Sequence, residues 1–149
     1  MDAYKSTYDT GNTKEGPRGF RNNNWCNIRV SNNPWEGKIT NNTDGAFEQF
    51  ETPELGIRAA AINLRTYKKK GISTVNDIIS TWAPSTENDT NSYVQAVSQY
   101  LQVDPNAVID VENPDTMRKL LTAIVRVENG QDGDADVIAR GVDLAFNKK

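Results

Sequence analysis

An α+β domain, with a small antiparallel hairpin sheet followed by about five helices, is predicted by three features of this chain. Residues 26–30, 37–40 and 46–50 read as short strands, the last two separated by a segment ending in Asp44-Gly45, a strong hairpin turn signal. From residue 52 onward, apolar periodicities begin at capping residues and end at glycine, proline or basic residues. No internal repeat or domain linker breaks the run, so residues 17–149 are expected to form a single domain behind a flexible polar arm, residues 1–16.

The elements follow in order. Phe47 and Phe50 do not alternate perfectly, so one strand is expected to be irregular. In the first long helix, Thr52 is the cap, Pro53 suits the first turn, Lys68 to Lys70 suit the C-terminal dipole, and Gly71 is the stop. Its apolar face is Leu55, Ala59, Ile62 and Tyr67. The second helix is capped by Ser73 or Thr74 and stopped by Pro84. The third is capped by Asp89 or Thr90 and buries Tyr93, Val94, Val97 and Leu101. In the fourth, Asn113 is the cap, Pro114 the first residue and Gly130 the stop. The fifth, residues 137–146, carries Gly141 in its interior, which costs about 1 kcal/mol relative to alanine and implies close packing there.

Composition narrows the function. The chain has 149 residues, 36% hydrophobic and 25% charged, which is globular, and its net charge of -3 argues against a nucleic-acid partner. With no histidine and one cysteine, Cys26, it has neither a disulfide nor the usual histidine-based nucleophile or zinc site. No apolar run suits membrane insertion. No metal or organic cofactor is implied, and any acid–base chemistry falls to carboxylates.

One carboxylate is oddly placed. The buried stripe of the fourth helix runs Met117, Leu121, Ile124, and eleven residues at 100° each bring Glu128 within about 20° of Met117. Partial burial and the negative C-terminal dipole both favour its protonated form, as in a general acid. Glu87, before the third helix, sits where the dipole is positive and suits a base, an electrostatic partner or a cap. Glu15 falls in the arm. Asp44, Glu48 and Glu51 lie on or beside the hairpin and are further candidates for a second carboxylate.

The ordered set RGFRNNNWCNIR, NPWEGKI, DGAFEQFETPELGIRA, TVNDIISTWAPSTENDTNSYV and AIVRVENG spans roughly residues 17–145. It resembles phage and prophage virion-associated peptidoglycan hydrolases of the lysozyme-like superfamily, lytic transglycosylases and muramidases among them. The family's opening motif reads Asn-Asn-Pro-Gly-Asn-Ile-Arg, and here Trp25 and Cys26 replace Pro-Gly. The Asn-rich turn is also similar to that of bacterial cell-wall glucosaminidases, whose glutamate helix comes first, which would imply a circular permutation.

The resemblance implies cleavage of the β-1,4 glycan strand of peptidoglycan in the bacterial cell wall by an enzyme carried in the virion. Glu128 would be the general acid, and Glu87 a second catalytic carboxylate in a hydrolase; a transglycosylase would need one acid only. Asn22, Asn23, Asn24 and Asn27 would hydrogen-bond sugar hydroxyl and N-acetyl groups, Trp25 or Trp35 would stack on a pyranose, Arg29, with Arg21, would hold acidic peptide stems, and Tyr93 would complete the substrate site. Alternatively, the asparagines build Asx turns and bind nothing. A second reading of the whole chain, favoured by the Trp25-Cys26 departure, is a non-catalytic virion structural or adaptor protein with other virion proteins as partners.

Overall fold

The computed structural model describes residues 16–85 and 88–147. The arm over 1–16 therefore lies, except for Gly16, outside the described residues, as do Glu15 and Glu87.

Six helices are present among the described residues: α1 (Arg18–Arg21), α2 (Pro53–Lys69), α3 (Val75–Trp82), α4 (Thr90–Leu101), α5 (Pro114–Asn129) and α6 (Ala135–Asn147). The caps explain where the five longer ones begin and end. Thr52, Thr74 and Asp89 accept from the amides of Leu55, Asp77 and Ser92, and Asn113 accepts from two first-turn amides. Asp134 does the same for α6 through the amides of Asp136 and Val137. Gly130 ends α5 at φ 72°, a conformation that favours glycine. α1 is a single turn behind Pro17 and has no periodicity from which to read it.

The expected α+β class is wrong. Among the described residues there is no strand, and the fold is all-α. The three expected strands meet only through isolated antiparallel bridges, Arg29 with Phe47 and Lys38 with Phe50. Short polar side chains take much of the bonding that a ladder would have used. The Asn24 amide donates to the carbonyls of Ile28 and Glu48, and its Oδ1 accepts from the Ile28 amide. Asn42 Oδ1 takes the amides of Asp44 and Gly45, and Asp44 takes those of Ala46 and Phe47. What the sequence presents as a hairpin is a layer of braced loops, residues 22–51, laid on the helices.

Beneath it is one apolar core. Met117, Leu120, Leu121 and Ile124 of α5 are fully buried against Ile57 and Leu64 of α2, Val97 of α4 and Ile138 of α6. The buried face of α2 is centred on Ile57, Ala60, Ala61 and Leu64, whereas Leu55, Ile62 and Tyr67 are only partly covered. α2 packs most extensively along α6. They meet at Gly141, where an added Cβ would lie 2.5 Å from the Ile57 side chain and 2.9 Å from the Glu54 carbonyl. Gly141→Ala is therefore expected to destabilise the protein by about 1–3 kcal/mol despite alanine's better helix propensity. Urea denaturation checks this; a stabilised variant would contradict the packing.

Candidate functional site

α5 ends by presenting Glu128 to the loop layer. Met117, Leu121 and Ile124 lock the helix face, so the last turn carries Glu128 into a half-buried position beside the core. Two other parts of the chain reach it. Asn27 Nδ2 donates to Glu128 Oε1 at 2.8 Å, and the Tyr93 hydroxyl, from α4, donates to Oε2 at 2.8 Å. The adjacent Asn129 amide donates to the Trp25 carbonyl, tying the same helix end to the loop layer.

Burial raises the Glu128 carboxyl above the usual glutamate range, opposed by the hydrogen bonds from Asn27 and Tyr93 and by the charge of Arg29. Burial pushes the Tyr93 phenol well up, helped by Glu128, and does the same to the Cys26 thiol. Because its pKa is raised on folding, Glu128 contributes most stability below its unfolded value of about 4.3, and that contribution is lost as pH rises through the folded value. The melting temperature of Glu128→Gln relative to the wild type is accordingly expected to rise as pH goes from 4 to 7. Scanning calorimetry across that range checks it; a gap independent of pH contradicts the burial of an ionised carboxylate.

Glu128 and Asn27 are among the residues lining a cleft of about 470 Å³. One wall is loop: Arg29, Ser31, Asn33, Trp35 and Phe47. The other is helical: Asn63 and Tyr67 of α2, Thr81 and Trp82 of α3, with Pro84 and Asn88 beyond. Tyr67 and Trp82 meet edge to face at 6.1 Å, and Trp82 Nε1 donates to the Cys26 carbonyl. The loop wall is pinned from behind. Lys38 Nζ donates to the carbonyls of Ser31 and Asn33 and pairs at 3.1 Å with Glu48, whose side chain is 1% exposed.

The structure brings together only part of the residue set expected from sequence. Asn27, Arg29 and Trp35 line the cleft, and Tyr93 lies beneath it on Glu128. Asn22, Asn23, Asn24 and Trp25 are buried and do not line it. Asn24 is fully used in the bracing described above. Asn23 donates to the Phe50 carbonyl, while Asn22 donates to Asp44 and accepts from Gln49. Trp25 packs on Phe20, and a Cβ at Gly133 would lie 2.7 Å from its ring. Asn23 and Asn27 stand at φ 53° and 55°, the left-handed region that asparagine tolerates better than most residues. Asparagine therefore suits the backbone at both positions.

Tyr67, Trp82, Asn63 and Asn88 were not in the expected set. Tyr67 reads as part of a helical apolar face, and Trp82 lies at the end of a helix, two residues before its proline stop. Neither pattern says that the residue borders a cleft. Asp44 belongs to the loop bracing: Arg18, first, then Asn22 and the amides of Phe47 and Ala46 hold its carboxyl well below the usual range.

The glycan-cleaving reading is overturned. The sheet of the expected architecture is absent among the described residues, and with Glu128 the one acid among them lining the cleft, the second carboxylate of a hydrolase is missing there as well. Each of its oxygens accepts a hydrogen bond from the protein, which ties the carboxylate to α4 and to the loop layer. With that reading go the assignments as a lysozyme-like hydrolase or transglycosylase, the circular permutation, and peptidoglycan as partner. Among the described residues, no group of three or more cysteines, aspartates or glutamates is placed to hold a metal ion, and no helix is long and apolar enough to cross a membrane.

No family model matches the chain. Over 137 residues, 89% of this chain and 84% of the other, it is 37% identical to Protein P5 of Pseudoalteromonas phage PM2. With that much of both chains aligned at that identity, the chain belongs to the phage protein family that includes Protein P5.

Proposed function

We propose that the chain is a non-catalytic structural or adaptor component of a phage virion. The observation that carries this reading is the kinship with a phage protein along nearly the whole chain. The site geometry agrees with it. The carboxylate that would have done chemistry acts as a joint, linking α5 to α4 through Tyr93 and to the loop layer through Asn27. Such a joint fixes the shape of a surface, which is what an adaptor requires.

The test is quantitative mass spectrometry of gradient-purified particles of the phage or prophage that encodes the chain. The chain should be present at a fixed ratio to the major coat protein. Particles carrying Glu128→Gln should contain it at the same ratio. Absence from washed particles would overturn the virion assignment, and turnover of a substrate by the purified chain that Glu128→Gln abolishes would overturn the non-catalytic one.

A further inference from the structure

The cleft has a chemical character of its own. Arg29 and Glu128 put opposite charges in it, close enough for the guanidinium to stabilise the carboxylate. A ligand with net charge gains little from such a pair, because attraction to one partner is offset by repulsion from the other. An uncharged amide fits it better, with its C=O toward the guanidinium and its N–H toward the carboxylate. Carboxamides continue the pattern along both walls: Asn33 on the loop side, Asn63 and Asn88 on the helical side. Each offers both a donor and an acceptor.

The aromatic residues add a platform. The Phe47 ring already carries the guanidinium groups of Arg18 and Arg29, at 4.6 and 5.1 Å from its centroid. Trp35, Tyr67 and Trp82 remain to contact a side chain. Trp35 Nε1 is buried yet has no hydrogen-bond partner. A buried indole N–H ordinarily finds an acceptor, and a turn of the Trp35 ring on docking would bring this one to a ligand carbonyl.

We infer that this cleft is the docking groove for an extended, uncharged segment of a partner polypeptide. Its backbone amides are read by the Arg29–Glu128 pair and the flanking asparagines, and its side chains rest on Trp35 and Trp82. The inference rests on the adaptor reading for the class of partner, since an adaptor's ligands are proteins. An extended chain presents N–H and C=O groups at regular intervals, which suits a cleft lined by several carboxamides.

The probes are short overlapping peptides tiled across the other proteins encoded by the same phage genome, with chitotetraose as a non-peptide amide control. Calorimetry and the fluorescence of Trp35 and Trp82 read the binding. At least one peptide with an uncharged stretch should bind. Trp35→Ala and Asn63→Ala, confirmed as folded by circular dichroism, should each weaken it by about tenfold. N-methylation of the peptide backbone in that stretch should weaken it similarly. Binding by no peptide, by chitotetraose instead of a peptide, or equally by both variants and the wild type would overturn the groove. A chain found in virions that binds no peptide removes the groove and leaves the virion assignment. A chain absent from virions that still binds a peptide does the reverse.

Discussion

Lys38→Met is expected to destabilise the protein by about 3–5 kcal/mol, the usual cost of removing one partner of a buried ion pair. Glu48 is 1% exposed on its side chain, and Lys38 is the cation paired with it at 3.1 Å. Without Lys38, Glu48 Oε2 keeps the Ser31 amide, while Oε1 has no hydrogen-bond partner to share the charge. The carbonyls of Ser31 and Asn33 lose their donor in the same step, so the loop wall of the cleft loosens as well. Lys38→Met with Glu48→Leu should recover most of the loss, because the desolvation penalty of both charges disappears together. A double-mutant cycle by urea denaturation reads this directly. A single-variant cost below about 1 kcal/mol, typical of a surface pair, would mean that water reaches Glu48.

Asn24→Leu should have an effect of similar size, about 2–6 kcal/mol, for a different reason. Leucine has the same branching as asparagine but cannot hydrogen-bond. The change leaves the Ile28 amide and the Glu48 carbonyl without the Asn24 partner that each has in the fold. Each buried backbone group left unsatisfied costs about 1–3 kcal/mol. The Ile28 carbonyl is less affected, because it also accepts from the Glu48 amide. Hydrogen exchange should show the loss in residues 22–51 first, with α2, α5 and α6 still protected. Uniform loss of protection would mean that the loop layer and the helices unfold as one unit.

These two variants show which parts of the molecule the sequence makes legible. Helices are local objects, and their signals are local: Thr52, Thr74, Asp89, Asn113 and Gly130 all stand at the ends where capping chemistry places them. The loop layer is not local. The alternation in residues 26–50 is real, since Glu48 and Phe50 both face inward, but alternation cannot say whether a ladder or a set of side-chain braces takes the backbone bonds. Asn24, Asn42 and Asp44 decided that, with partners up to 24 residues away.

The same division runs through the site. Helical arithmetic put Glu128 on the buried stripe. It could not supply Asn27, 101 residues distant, or show that both carboxylate oxygens would be engaged. Of the two tryptophans that the sequence offers as a platform, Trp25 packs against Phe20 and Gly133 and Trp35 lines the cleft, and an aromatic beside polar residues looks the same in either place. Two of the asparagines beside it are explained by backbone conformation, at φ 53° and 55°.

The most direct test of a non-catalytic joint at Glu128 is to incubate the purified chain with bacterial cell-wall sacculi and analyse the soluble fraction by mass spectrometry. No muropeptides should be released by the wild type or by Glu128→Gln, across the pH range in which Glu128 titrates. Release of anhydro-muropeptides or of reducing-end sugars by the wild type, abolished in Glu128→Gln, would contradict it.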